Sequence, residues 1–396
     1  MLVRLAYRLV RGVSPRLLWK AGHLWAYQGM RAVRTFRRRQ GRGELFPPFL
    51  FLALTDACNL HCHGCWISSH GKPRTLAPAE IDAVIAAAKQ QGSRFFTLLG
   101  GEPMLYPHWW EIPARHPDCF FQIITNGMFL TPENVSRIRR CGNVTPLVSL
   151  DGLRASNDAR RGQGVFQAAM EGLARLRQNR ILFGVATTVT GENLDEVLSD
   201  AYVRSIIDSG AMYLWYYVYR PVGADPSPRF CVAREQMIEL RKRLLGLRQI
   251  HPIVLIDTYW DAEGRAICPA ALGLGFHIGP RGTIEPCPPL SFACESIRDY
   301  HGDLFRTINE SAFLRGFQQF VAERTRGCVI LERPSELAEY LRSAGAADAS
   351  GRDAFGELAA SSPRTSHHLP GEEIPESSWF YRFLKRQLFF GMGAYG

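Results

Sequence analysis

Six short apolar runs, at 49–54, 94–99, 120–125, 146–150, 182–189 and 212–219, recur along the chain, and polar stretches of helical period separate them. In the first of these stretches Ile81, Val84, Ile85 and Ala88 share one face, Pro78 opens the helix and Gly92 stops it. Further helices are predicted from about 132 and over 166–177, 194–209 and 234–248. Strands alternating with helices imply a parallel sheet with helical crossovers. The expected fold is therefore α/β, a partial (β/α)6 TIM-like barrel over 49–250, with its functional groups at the C-terminal ends of the strands. The alternation stops near 250. A small cysteine-rich extension is expected over 251–340. Beyond it, 341–396 reads as a linker rich in Ala, Ser, Gly and Pro, with His367 and His368 solvated, and an aromatic tail from Trp379 that packs across the barrel mouth or joins the N-terminal arm on a membrane.

Residues 1–48 read as a helical arm broken near Ser14-Pro15, with Leu2, Leu5, Leu9 and Val13 on one face. The net charge of +10 suggests a nucleic-acid partner until it is located. Residues 1–43 hold eleven of the 47 Lys and Arg and none of the 37 Asp and Glu, so the rest of the chain is near neutral. No nucleic-acid partner is expected. Aromatic and basic residues interleave in the arm, a mixture suited to a membrane surface. The alternative is that its apolar face packs on the protein's own barrel. No apolar run reaches the ~18–20 residues that a membrane span needs. Ten cysteines without a recognisable secretory signal point to a reducing cytoplasmic compartment, with peripheral attachment to the inner membrane face as an option.

Cysteine spacing carries the chemistry. Cys58, Cys62 and Cys65 lie within eight residues directly after the first strand, and so short a loop closes only around something compact. A cubane [4Fe-4S] cluster normally takes four thiolates, so three would leave one iron open. Zinc is the competing occupant, with His61 or His63 as fourth ligand. A second set, Cys268, Cys287, Cys294 and Cys328, supplies four thiolates for one complete cluster or zinc site. Cys119, Cys141 and Cys231 stand at no ligand spacing and read as small packing residues. The aromatic strand at 212–219 offers Tyr216, Tyr217 and Tyr219 as candidates to line the barrel cavity, since adjacent side chains alternate in direction.

The stretch Cys58-Asn59-Leu60-His61-Cys62-His63-Gly64-Cys65 resembles the core motif of the radical S-adenosylmethionine (radical SAM) superfamily. The resemblance implies a [4Fe-4S] cluster on Cys58, Cys62 and Cys65 whose open iron chelates the amino and carboxylate groups of S-adenosylmethionine. Gly100-Gly101-Glu102-Pro103, at the end of the second strand, resembles the segment that holds the methionine amino group. Its paired glycines would allow close approach to a ligand, and its carboxylate suits an amine. Asn126, in Thr125-Asn126-Gly127, and Ser149 and Asp151, in Ser149-Leu150-Asp151-Gly152, resemble the cofactor-side turns. Arg161 resembles an arginine that neutralises the cofactor carboxylate. Two positions depart from the usual pattern. Gly64 stands where many members carry an aromatic residue, with Trp66 two places later, and Asn157-Asp158 replaces a His-Asp pair.

The spacing from Cys268 through Gly282 to Cys287 resembles the SPASM/twitch extension, which implies an auxiliary [4Fe-4S] cluster handling electrons. The expected activity is reductive cleavage of S-adenosylmethionine to a 5′-deoxyadenosyl radical that abstracts hydrogen from an unactivated C–H bond. A flavodoxin- or ferredoxin-type donor would supply the low-potential electron. The arm and tail favour a lipid-like substrate. The alternatives are a peptide, an enzyme side chain or a small metabolite, and, outside catalysis, a zinc or electron-transfer protein on a degenerate barrel.

Overall fold

A computed structural model describes residues 1–67 and 72–388. The six expected strands form as β1 (Leu50–Thr55), β2 (Phe95–Gly100), β3 (Phe120–Thr125), β4 (Val144–Ser149), β5 (Gly184–Val189) and β6 (Tyr213–Val218). A three-residue β7 (Val254–Ile256), too short to stand out as an apolar run, extends the parallel sheet beyond β6. On the other side β8 (His277–Ile278) pairs in parallel with β1, and β9 (Thr283–Glu285) and β11 (Glu295–Ser296) follow antiparallel. The order β11-β9-β8-β1-β2-β3-β4-β5-β6-β7 makes an open, ten-stranded sheet with the extension built onto β1. A separate pair joins β10 (Phe292–Ala293) to β12 (Ala347–Asp348).

Strand alternation sorts the side chains into two compartments. Leu52, Leu98, Ile123, Val148, Val185, Leu214 and Leu255 pack outward beneath the helices. Phe49, Phe95, Phe120, Leu147, Ala186, Trp215 and Ile256 face the barrel interior. Next to this apolar floor lies a polar belt, in which Tyr213 Oη is 2.9 Å from Thr145 Oγ1 and accepts from Gln122 Nε2 at 3.4 Å.

The floor is closed by both ends of the chain. Ala21, Leu24 and Val33 of the arm, with Tyr381, Leu384 and Leu388 from and just after the Trp379–Gln387 helix, belong to the same apolar cluster as the interior strand residues. The arm's apolar face, with Leu5, Val13 and Leu17 buried, thus packs on the protein's own barrel, and a membrane surface is not needed to cover it. Its charge has a local use as well. Arg8 donates to the carbonyls of Ile207, Ala211 and Pro252, Arg16 to those of Arg139 and Arg140, Lys20 to that of Cys141 and Arg39 to that of Gln91. Most of these oxygens lie at or just past helix C-termini, where carbonyls lack intrahelical partners and the dipole is negative. The tail to Leu388 joins the arm at this floor and does not cross the mouth. Residues 389–396 of the expected aromatic stretch lie outside the described residues.

The 341–378 segment is more ordered than a linker. It contributes β12 and an Ala354–Ala360 helix. His367 is buried, contrary to the expectation of a solvated side chain. Its Nε2 is 2.8 Å from the Ile267 carbonyl and its ring lies against Tyr259 and Trp260. Burial lowers its pKa to about 3. Behind it a buried ion network clamps the C-terminal helix. Arg248 donates to Asp257 (2.5 Å) and Glu376 (2.6 Å), and Lys385 to Asp257 (3.1 Å). Burial alone would raise the Asp257 carboxyl, but Lys385, Arg248 and Arg241 hold it far below the usual range.

Removing one member of such a network leaves uncompensated buried charge. Asp257→Ala should lower stability by about 3–5 kcal/mol in urea unfolding, with the C-terminal helix becoming accessible to protease. His367 is neutral in the fold, so its contribution is complete above its unfolded pKa and is lost as pH falls toward its folded value. The melting temperature should drop between about pH 7 and about pH 4, and drop less in His367→Gln.

Candidate active site

The chain leaves β1 at Thr55 and enters the cysteine loop, which backbone contacts hold on two sides. Gly101 N–H donates to Thr55 O and Glu102 N–H to Ala57 O, both at 2.8 Å. A Cβ on Gly101 would lie 2.2 Å from Ala57 O. The glycine therefore serves the approach of β2's end to the loop. Asn126 Nδ2 donates to Asn59 Oδ1 at 2.8 Å, which ties the loop to β3. From the other side His63 N–H donates to the Arg160 carbonyl at 2.9 Å.

Within this frame the three thiols share one electrostatic neighbourhood. Burial raises Cys58 to about 11, and Cys65 and Cys62 add to the rise. Burial raises Cys62 as well, opposed by Arg161. His61 and His63 point to solvent, and His63 Nδ1 lies 3.5 Å from the exposed Asp225, so neither is placed as a zinc ligand. Among the described residues no three His, Cys, Asp or Glu side chains close on a point that a single ion would fill. A donor set of three grouped thiols flanked by a guanidinium suits an anionic cluster that supplies its own sulfide.

Two buried carboxylates brace the site. Glu102 is fully buried and accepts from Met104 N (3.0 Å), Thr125 Oγ1 (2.9 Å) and Asn126 N (2.8 Å). Burial pushes its carboxyl up to about 7 against those donors. Its oxygens join the turns after β2 and β3. Asp151, also fully buried, pairs with Arg160 and with Arg161 Nε (2.7 Å) and accepts from Thr188 N (2.7 Å). Burial favours its neutral form, but the two arginines hold it near 2. Arg161 is thereby fixed beside Cys62 and Cys65, whose charges, with that of Asp151, raise its pKa. Ser149 ends β4 on the interior-facing side, two residues beyond Leu147. Pro103 starts a short turn after Glu102.

The tyrosines separate. Tyr216 faces outward and its Oη donates to the Val197 carbonyl at 2.8 Å, so it does not line the cavity, because its position in β6 points it into the helix layer. Tyr217 faces the interior, stacked on Trp215. Tyr219 packs over the cysteine loop. A Cβ on Gly64, whose φ is +65°, would lie 2.6 Å from Tyr219 Oη. An aromatic ring from β6's end fills the space above the residue where an aromatic side chain was missing.

Three groups escaped the sequence reading. Asn193 Nδ2 donates to the carbonyls of Asp151 and Thr188, with no signal beyond a lone Thr-x-x-Asn. Cross-strand His277 and Glu285 form a buried pair, with Nδ1 2.6 Å from Glu285 Oε2. Nε2 of His277 is buried without a partner among the described residues. His277 pairs in register with Phe51, opposite in direction to Phe276 and Ile278, so it faces the interior, and Trp66 stands edge-on to its ring at 5.8 Å. The Gly279 to Gly282 turn, read as a hairpin, would have paired these two residues from sequence.

At the second constellation Cys268, Cys287 and Cys328 lie together: burial raises the Cys268 and Cys287 thiols, Cys328 adds to both, and Cys268 adds to Cys287. Cys294 stands apart. It is exposed, its Sγ donates to the Ala344 carbonyl at 3.5 Å, and Glu295 is the one charged group acting on it. The expected four-thiolate set is thus three converging thiols and one at the surface, because Cys294 directly follows β10, whose pairing with β12 sets it beside Ala344. Cys119 is buried in the core, Cys141 donates to Trp110 O (3.7 Å), and Cys231 is half-buried.

Residues 52–201 match the radical SAM superfamily. Those residues form a radical SAM domain. A mycofactocin maturase, MftC, of Mycolicibacterium smegmatis is 34% identical over 265 residues, 62% of this chain and 66% of the relative. An AdoMet-dependent heme synthase of Nitratidesulfovibrio vulgaris is 26% identical over 286 residues, 62% of this chain and 75% of the relative. Among solved structures, Streptococcus suis SuiB bound to its precursor peptide SuiA superposes with a TM-score of 0.61 at 14% identity, covering 75% of this chain and 72% of that one, a likeness of fold. The radical SAM domain therefore spans the cysteine loop, the Gly100–Pro103 turn, Asn126, Ser149, Asp151 and Arg161 together.

In this domain Gly64→Ala should cut iron incorporation after anaerobic reconstitution, since the new methyl meets Tyr219 and the left-handed backbone costs roughly 1–2 kcal/mol. Adding Tyr219→Leu should restore part of the iron. Equal iron in wild type and the single variant would show that the ring does not press on the loop.

Proposed function

We propose that this chain is a radical SAM maturase that oxidises an unactivated C–H bond of a peptide or protein substrate. The observation that carries the reading is His277. A buried imidazole nitrogen without a partner costs about 1–3 kcal/mol unless a ligand satisfies it. The Nδ1 bond to Glu285 leaves Nε2 to meet the substrate. An acyl chain has nothing to offer that atom, whereas a peptide presents amide N–H groups. The likeness to a maturase at 34% identity and the precursor peptide bound to a protein of the same fold support this choice over a lipid-like substrate.

Bound at Cys58, Cys62 and Cys65, a [4Fe-4S] cluster with S-adenosylmethionine supplies the 5′-deoxyadenosyl radical. The protein's share is placement and exclusion of water. Asp151 fixes Arg161 where the cofactor carboxylate would meet a positive charge. Glu102 and Asn126 hold the loop in register with β2 and β3. The floor sealed by arm and tail leaves the strands' C-terminal side as the way in for substrate. A flavodoxin- or ferredoxin-type protein is the proposed electron donor.

The test mixes anaerobically reconstituted chain with a library of synthetic peptides, following 5′-deoxyadenosine by chromatography and the peptide by mass. Deoxyadenosine should rise with peptide, and the peptide should lose hydrogen. His277→Leu should weaken that stimulation about tenfold or more, while substrate-free cleavage persists. Stimulation by phospholipid vesicles or by a porphyrin, and not by peptide, would overturn the proposal.

A further inference from the structure

The five residues after β6, 219–223, touch both cysteine constellations. Tyr219 lies over Gly64, and Gly223 lies against the Cys65 carbonyl. Between them the side chain of Arg220 turns the other way. Its Nε is 3.3 Å from Cys328 Sγ and its Nη1 donates to the Val218 carbonyl at 2.6 Å, with Tyr259 beneath the guanidinium. No carboxylate among the described residues forms an ion pair with it. A buried charge without a counter-ion is strongly unfavourable, and buried arginines in proteins are paired. The groups that face Arg220 are the thiols of Cys328 and Cys287 and the Tyr259 phenol, all of which favour its charged form against desolvation.

We propose that Arg220 is the built-in counter-ion of an auxiliary iron–sulfur cluster on Cys268, Cys287 and Cys328, and that it raises the reduction potential of that cluster. This rests on reading the second constellation as an iron–sulfur site. A cluster held by thiolates is anionic and gains a further negative charge on reduction. A fixed cation donating a hydrogen bond to a ligand sulfur stabilises the reduced form more than the oxidised one. The segment that carries Arg220 is packed on the radical-generating loop, so the better acceptor of the two clusters sits one short stretch of backbone from the other. Arg220 acts through the cluster and is a positioning residue. Its role differs from that of a packing arginine in one measurable respect, since packing alone leaves the potential where it was.

The experiment is a potentiometric titration, read by electron paramagnetic resonance, of anaerobically reconstituted wild type, Arg220→Lys and Arg220→Met. Arg220→Met should move one of the two couples to a more negative potential and leave the other in place. Arg220→Lys, which keeps the charge without the guanidinium fork, should move it less. Iron analysis of each protein keeps the outcomes separable. About eight irons per chain with both couples unmoved in Arg220→Met overturns the role of Arg220 alone, while about four irons in wild type overturns the auxiliary cluster and this proposal with it. Should Arg220→Met not fold, an Arg220→Lys protein with about eight irons and unshifted couples likewise overturns the proposal.

Discussion

The contact between two strand ends, 55–57 against 100–102, is the constraint from which the active site hangs. Two main-chain hydrogen bonds and a glycine with no room for a side chain set the cysteine loop against β2. Once that approach is made, the Glu102 side chain is turned inward, where it collects the backbone of Met104 and Asn126 and the hydroxyl of Thr125. Asn126 then reaches back to Asn59. This closed circuit fixes the loop through its backbone and one amide and uses no thiol sulfur. Asp151 does the same from the opposite side through Arg160, whose carbonyl accepts from the loop. A buried carboxylate that fails to collect its donors is costly, so both braces favour a single arrangement of the rim.

The elements with a strong period were legible in the sequence. The six main strands appear within a few residues of their expected bounds, because each is an apolar run buried on both faces, as parallel strands are. β7 and β8, three and two residues long, carry too little pattern to be read alone. The cysteine loop was legible as a spacing, whereas the place of Arg161 beside its thiols was not. The Gly100-Gly101-Glu102 turn was located correctly, but its contacts with the chain's own backbone were not legible. A sequence shows that glycine and a carboxylate are adjacent, and not whether a ligand or the chain's own backbone occupies them. Cys294 was misassigned for a related reason. Spacing along the chain does not report that the pairing of β10 with β12 sets the residue at the surface. Tyr216 and Tyr217 show the limit most simply, since alternation guarantees that one faces inward without saying which.

The N-terminal charge shows how composition and geometry can point different ways. Eleven basic residues without one acid suggested an external anionic partner. The partners are largely internal: helix C-termini around the barrel base, whose orphan carbonyls accept from Arg8, Arg16, Lys20 and Arg39. Arginine suits the task because its planar fork meets several oxygens at once, as Arg8 does. The basic arm is thus a girdle that satisfies the ends of crossover helices while its apolar face plugs the floor. Aromatic residues on its other face, Trp19 and Tyr27 with His23 stacked between them, remain exposed.

The interior is graded from that floor outward. Phe49, Phe95, Phe120 and Trp215 with arm and tail residues make the base apolar, the belt of Thr145, Gln122 and Tyr213 is polar but satisfied, and charged groups are held at the rim by Asp151. His277 breaks this order, because it is an interior polar group left with an unmet nitrogen. Nε2 of His277 is one of several buried polar atoms without a partner among the described residues. In the proposed reading, a peptide substrate would bring an N–H to that point. Selectivity then follows from the same arithmetic that stabilises the fold: a ligand lacking the donor pays to bury both itself and the unmet nitrogen.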